Sequence, residues 1–166
     1  SWGKAKLKYK GHTEVLRDFY NKEAIMMLGC QKMYVALFTE HIALKDVAKS
    51  IKTKKLINFF KNFHSCTNAK KVAVLALNPH AGDGGVLGKE EKKIQKAIKK
   101  ANKILGEDIF SNPLVPDTAF SPNNRKNYKY FIAMYHDQGL APLKALYFDE
   151  SINVSLNLPI IRTSVD

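Results

Sequence analysis

The sequence predicts an α/β fold, on three observations. Short continuous apolar runs alternate with amphipathic segments along the chain, and strands alternating with helices argue a layered sheet with a largely parallel pairing. Apolar residues make up 45% of the 166 residues, enough for a sizeable core in one domain's worth of chain. Neither an internal repeat nor a low-complexity linker interrupts the pattern.

Each element follows from its local pattern. Thr13 suits the N-cap of a helix beginning near Glu14. Residues 24–28, 34–38, 72–77 and 130–135 are short apolar runs and read as buried strands. Residues 44–51 and 54–63 read as two helices, with Thr53 capping the second. Residues 90–105 carry Ile94, Ala97, Ile98, Ala101 and Leu105 at helical spacing, and Gly106 is the stop. Residues 112–124 hold Pro113, Pro116 and Pro122 and read as an ordered loop. Residues 152–158 alternate, with Ile152, Val154, Leu156 and Leu158 on one face and Asn153, Ser155 and Asn157 on the other, the pattern of a strand with one polar face.

Composition narrows the function classes. The net charge of +12 invites a polyanion-binding or nucleic-acid module, but Arg17, Arg125 and Arg162 are the only Arg among 27 basic residues. Lys lacks the planar fork that reads bases and phosphates bidentately. Lys89, Lys92, Lys93, Lys96, Lys99, Lys100 and Lys103 fall along one helical stretch and read as its solvated face. No run approaches the ~18 apolar residues of a membrane span. Cys30 and Cys66 are too few for a disulfide framework and read as reduced, small buried hydrophobes. The expectation is a cytoplasmic protein with neither a nucleic-acid nor a membrane partner.

Three of the five His sit in dense polar motifs: Gly11-His12-Thr13-Glu14, Asn78-Pro79-His80-Ala81-Gly82-Asp83-Gly84-Gly85 and Met134-Tyr135-His136-Asp137-Gln138-Gly139. Three neutral imidazoles with open positions make the ligand set of a catalytic divalent-metal site. His80 and His136 each follow an apolar run, so parallel strands would bring them to one edge, where α/β sheets bind ligands. Gly82, Gly84, Gly85 and Gly88 before a helix read as an anion or cofactor cradle, or as an ordinary βα turn. Asp137 reads as a carboxylate orienting an imidazole, a ligand, a proton acceptor or a helix N-cap. Lys144, Asn153 and Arg162 are donors suited to phosphate or carboxylate. His41 and His64 lack such context and read as structural or surface residues.

Six motifs in register carry a resemblance. The three His motifs, His41-Ile42-Ala43-Leu44-Lys45-Asp46-Val47, Pro116-Asp117-Thr118-Ala119-Phe120 and Leu158-Pro159-Ile160-Ile161-Arg162-Thr163-Ser164-Val165-Asp166 resemble the 4-hydroxythreonine-4-phosphate dehydrogenase family of vitamin B6 (pyridoxine) biosynthesis. The resemblance implies a Rossmann-like layered sheet with helices on both faces, similar to the isocitrate and isopropylmalate dehydrogenases. It implies an NAD- or NADP-dependent oxidoreductase with a divalent metal (zinc, magnesium or cobalt), held by His12, His80 and His136. Lys144, Asn153 and Arg162 would contact a small phosphorylated hydroxy amino acid, 4-phosphohydroxy-L-threonine, which is oxidised and decarboxylated to 3-amino-2-oxopropyl phosphate. Asp137 or Asp117 would assist proton transfer or orient ligands. The resemblance also implies a homodimer with its active site at the subunit interface. Residues 1–166 would be a single α/β portion of a larger two-domain dehydrogenase, lacking its first half and extreme C-terminus. The alternatives are a non-catalytic, metal-binding dimerising fragment or a basic polyanion-binding module.

Overall fold

A computed structural model describes residues 24–158 and the backbone of residues 162–165. The elements run β1 (Ile25–Cys30), β2 (Met33–Leu37), α1 (Leu44–Ser50), α2 (Thr53–Thr67), β3 (Val72–Val74), a 3-10 turn (Pro79–Gly85), α3 (Glu90–Leu105), α4 (Pro116–Ala119), α5 (Pro122–Asn127), β4 (Tyr130–Ala133), α6 (His136–Tyr147), β5 (Ile152–Leu156) and β6 (Arg162–Val165). The expected cap at Thr13 lies outside the described residues.

The described strands form one sheet in the order β3-β4-β2-β1-β5-β6. β3, β4 and β2 are mutually parallel, whereas β1, β5 and β6 join by antiparallel pairings. The sheet is therefore mixed, where a largely parallel one was expected. The reason is the connection between β1 and β2: Cys30 pairs with Met33 across a two-residue turn. Two residues suffice for an antiparallel hairpin but not for a parallel crossover.

Helices cover both faces, as expected. On one face Phe60 and Phe63 of α2 and Ile94 and Ile98 of α3 pack with Ile25, Met27, Val72, Val74 and Ile132 of the sheet. On the other, Leu140 and Leu143 of α6 and Ala119 of α4 pack with Leu28, Val35, Leu37, Phe131 and Ala133. Burial on both faces explains why these strands are continuously apolar: all six residues of β1 are buried. Full burial of a side chain such as Phe60 or Phe131 contributes about 1.5–3 kcal/mol. Gly139 lets α6 lie close against the sheet, since a Cβ there would sit 2.5 Å from Val35 Cγ1 and 2.8 Å from Ala133 Cβ.

Several local expectations need correction. Thr53 is the first residue of α2, the N-cap position is Lys52, and no side chain caps that end. The proline-rich segment 112–124 contains two short helices, with Pro116 and Pro122 in their first turns. Proline is tolerated there because the missing N–H would have no helical partner. In β5 it is Ser155 that is buried and Ile152 that is 38% exposed, although Val154 and Leu156 pack on the core as the alternation requires. Cys30 is buried but Cys66 is exposed. α3 ends as read, with Gly106 left-handed at φ 75°, and its Lys side chains from Lys92 to Lys103 are exposed. Among the described residues no helix is long and apolar enough to cross a membrane.

Candidate metal edge

The site begins with strand direction. β3, β4 and β2 are neighbours and parallel, so their C-terminal ends lie along one edge of the sheet. His80 follows β3, His136 opens α6 directly after β4, and His41 follows β2. The His136 side chain is 36% exposed and its Nδ1 lies 2.8 Å from Asp137 Oδ1. The N-cap of α6 is Tyr135, so Asp137, in the first turn, is not the cap. An imidazole with one nitrogen on a carboxylate presents the other outward in a fixed orientation, the usual state of a metal-ligating His.

Polar staples hold this edge together. Gln138 Nε2 donates to the Ala76 carbonyl and its Oε1 accepts from Met134 N, both at 2.7 Å. One side chain thus ties the segments leaving β3 and β4. Thr39 donates to the Met134 carbonyl through both its N–H (3.2 Å) and its Oγ1 hydroxyl (2.6 Å), tying β2's exit to β4's. Glu40 is buried, and its Oε1 accepts from Met26 N.

The loop from Asn78 to Gly88 is built around two carboxylates. Glu91 Oε1 accepts from Leu77 N and Asn78 N, and the Asn78 amide donates to both Glu91 and Glu90. These contacts support an unusual backbone, with His80, Ala81 and Asp83 all left-handed at φ 51°, 50° and 44°, each costing about 1–2 kcal/mol. Gly88 is required by packing: a Cβ would sit 2.1 Å from Asn78 Nδ2. The first turn of α3 is therefore filled by its own Glu90 and Glu91. Negative charge already placed at that N-terminus argues against the anion-cradle reading of this loop. The Asn78 amide, as the largest cause, holds the Glu90 carboxyl below its ordinary range.

The remaining residues fall into two groups. His80 is exposed on this loop, and Asp117 is exposed in α4, which packs on the same loop. Lys144 lies eight residues along α6 from His136, about 12 Å at the helical rise, with Nζ 5.5 Å from the Phe148 ring centroid. Asn153 pairs with Leu28 of β1, and three strand spacings, about 14 Å, separate β5 from β4. Arg162 pairs with Ser155 on β6, the last strand on that side. Within one chain, Lys144 and Asn153 are not brought to His136. His12 lies outside the described residues, and among the described residues no three His, Cys, Asp or Glu side chains converge on a metal position. The chemistry of the donors, neutral imidazole backed by carboxylate, suits a divalent ion.

His41 is exposed, as a surface reading expects. His41 reads as structural or surface from sequence, yet its ring centroid lies 5.7 Å from that of His136. The available signal was its position just past the apolar run 34–38, the same placement that marked His80 and His136. His64 is structural as expected, its Nδ1 lying 3.2 Å from the Ala69 carbonyl just past α2.

Comparison with known proteins identifies the family and supports the fold. Residues 1–166 match the family described as "Pyridoxal phosphate biosynthetic protein PdxA". A 4-hydroxythreonine-4-phosphate dehydrogenase of Sulfurimonas denitrificans is 69% identical over 166 residues, 100% of this chain and 54% of that protein. One of Campylobacter fetus is 55% identical over 167 residues, with the same coverage. The crystal structure of the Klebsiella pneumoniae 4-hydroxythreonine-4-phosphate dehydrogenase superposes with a TM-score of 0.81 at 32% identity, over 96% of this chain and 50% of that one. A terephthalate 1,2-cis-dihydrodiol dehydrogenase of Burkholderia xenovorans, 18% identical with a TM-score of 0.77 over 91% of this chain and 50% of that one, shares the fold. The chain spans about half the length of the curated relatives it matches. Matched along its whole length by the family and by these relatives, the chain belongs to the PdxA family.

Proposed function

We propose that this chain is the metal-binding portion of a two-domain, NAD- or NADP-dependent dehydrogenase. The enzyme oxidises and decarboxylates 4-phosphohydroxy-L-threonine to 3-amino-2-oxopropyl phosphate, in the cytoplasm, as a homodimer. The observation that carries the reading is the His136–Asp137 pair at the C-terminal edge of parallel strands, in a chain whose relatives are named as that dehydrogenase.

His12, His80 and His136 would hold the divalent ion, with zinc, cobalt and magnesium the candidates. When bound, the ion supplies Lewis acidity to the substrate hydroxyl, and the nicotinamide supplies the hydride acceptor. The chain's own residues do the rest. Asp137 fixes the ring of His136. Asp137 or Asp117 takes the hydroxyl proton as the carbonyl forms. Lys144, Asn153 and Arg162 bind the phosphate and carboxylate. The resulting β-keto acid loses carbon dioxide because its carbonyl accepts the electron pair of the breaking bond. Sharing ligands between two subunits accounts for the separation of about 12 Å between His136 and Lys144 in one chain.

The test is to purify the full-length protein, add each candidate ion, and follow nicotinamide reduction with 4-phosphohydroxythreonine. Absence of turnover with every ion refutes the reading. A metal-binding dimer without turnover is the second reading for residues 1–166 alone, favoured by the same separation. Light scattering and the same assay on that segment distinguish the two.

A further inference from the structure

We propose, on the metal-dependent reading above, that Glu91 is a positioning residue for His80. Its carboxylate holds the left-handed turn that carries the imidazole, and so aims the ring from the rigid helix α3.

The turn runs against the preference of its residues. His80, Ala81, Gly82, Asp83 and Gly84 are all left-handed, with φ of 51°, 50°, 80°, 44° and 64°. L-residues visit that region singly, because Cβ crowds the following carbonyl, so a succession of them persists only where the surroundings impose it. Past the turn, Leu87 N donates to the Gly82 carbonyl at 3.0 Å and Val86 N to the Asp83 carbonyl at 3.1 Å. Before the turn, where the chain leaves β3, the donors go to α3 instead. Leu77 N and Asn78 N donate to Glu91 Oε1 at 3.1 and 2.7 Å. The Asn78 amide donates to both Glu91 oxygens, at 3.1 and 3.0 Å. One carboxylate thus receives two backbone N–H groups and a side-chain amide, ending two residues before His80.

The same carboxylate meets the turn in its middle. Gly82 is buried, and a Cβ there would sit 2.6 Å from Glu91 Oε2. Gly88 closes over the Asn78 amide with no room for a Cβ. Entry, middle and exit of the loop are therefore packed on Glu91 or on the amide that it holds. Glu91 is itself fixed, because Ile94, Ala97, Ile98 and Ala101 anchor α3 in the core. His80 is exposed, so its direction comes from its backbone rather than from packing. A backbone held against its preference relaxes when the holding group is removed, and a change of φ at His80 swings the ring. Glu91 therefore acts on a ligand of the ion without touching the ion, as supports behind metal ligands do.

Cobalt(II) added to the full-length protein is the probe, because its visible absorption reports the number and kind of ligands. Glu91→Leu should weaken Co²⁺ binding by about tenfold and alter the visible band. Glu91→Gln keeps a side-chain oxygen for Leu77 N and Asn78 N, and should restore most of the affinity and the parental band. In the metal-free Glu91→Leu protein, amide exchange at Leu77 and Asn78 should quicken while Ile94 and Ile98 stay protected. His80→Ala is the reference for loss of the imidazole. Ile98→Ala, buried on α3 seven residues beyond Glu91, is the reference for loss of stability alone. If His80→Ala loses Co²⁺ while Glu91→Leu keeps the parental affinity and band, the inference is overturned and the metal-dependent reading stands. If His80→Ala leaves Co²⁺ binding unchanged, His80 is no ligand, and that part of the reading falls together with the inference. If Ile98→Ala weakens Co²⁺ binding as much as Glu91→Leu, Glu91 acts through stability alone and the inference is overturned. Should Glu91→Leu fail to fold, Gly82→Ala disturbs the same contact from the loop side. It should shift the band in the same way, and a parental band there overturns the inference.

Discussion

The two halves of the sheet are built differently, and the difference divides the candidate residues. In the parallel half, β3-β4-β2, Val72, Phe131 and Val35 are each 0% exposed. Beyond those strands Gln138 and Thr39 staple the exits together. In the half where β1, β5 and β6 pair antiparallel, Ile152 is 38% exposed and Asn153 half-buried. The parallel half presents imidazoles on a fixed edge. The other half carries Asn153 and Arg162, at some distance from that edge. A helix, α6, links the two, with His136 at its start and Lys144 two turns on. The comparison teaches that the candidate residues fall into two separate groups within one chain.

Stability should separate the halves most sharply. Phe131 is fully buried and stacks on Phe120 with centroids 4.9 Å apart. Phe131→Ala should cost about 3–5 kcal/mol, as a large cavity under the parallel half. Ile152→Ala, on the half-exposed β5, should cost about 1 kcal/mol or less. Denaturant unfolding of both variants measures the contrast, and equal losses would break it.

Substrate recognition should separate them next. In the full-length enzyme Lys144→Ala should lower kcat/KM by about 2–4 kcal/mol, the scale for truncating a charge-assisted contact to an anion. Its metal content should stay at the parental level, because Lys144 is eight residues along α6 from His136. A kcat/KM within about twofold of the parent would make Lys144 a surface residue.

Metal affinity tests the other side of the division. His80→Ala and His136→Ala should each weaken divalent-ion binding by about tenfold or more, while Asn153→Ala should leave it unchanged. Unaltered metal content in both His variants, by elemental analysis, would remove these residues from the ligand set.

What the sequence disclosed follows the same division. The strands of the parallel half were legible because burial on both faces makes them continuous apolar runs, and α3 was legible from its helical spacing and Gly106 stop. Strand direction was less so: an apolar run reads the same both ways. The hairpin between β1 and β2 was nevertheless implied by the two residues separating Cys30 from Met33, and Gln31-Lys32 simply lacks the Gly or Asn that usually advertises such a turn. The burial of Ser155 in place of Ile152 was hidden because β5 sits near the border of the sheet, where alternation no longer reports which face is covered. His80 and His136 were legible from their motifs. The placement of His41 just past an apolar run was equally visible, but its approach to His136 emerges only when β2 is placed beside β4. The glycines of residues 82–88 suggested a ligand cradle, and the structure spends two of them on close contacts, Gly82 against Glu91 and Gly88 against Asn78.

The smallest expected effect is electrostatic and lies beneath the parallel half. Asn78 Nδ2 donates to Glu90 Oε2 at 2.9 Å and Lys89 N donates to the same oxygen at 3.1 Å. The Asn78 bond, then the backbone bonds and the charge of Lys93, hold the Glu90 carboxyl below its ordinary value of 4.5, against a partial burial that pushes it up. A folded-state pKa below the unfolded one means that the ionised carboxylate stabilises the fold. That stabilisation is fully present above the unfolded value and disappears as pH falls through the folded one. Because the group is largely solvated, its size should be about 0.5 kcal/mol or less. Glu90→Gln should therefore lower unfolding free energy slightly at neutral pH, and the gap from the parent should close as pH drops below 4.5. Urea titrations of both proteins at neutral and acidic pH measure it. A gap that persists unchanged into acid would show that Glu90 supports the loop by hydrogen-bond geometry alone, without help from its charge.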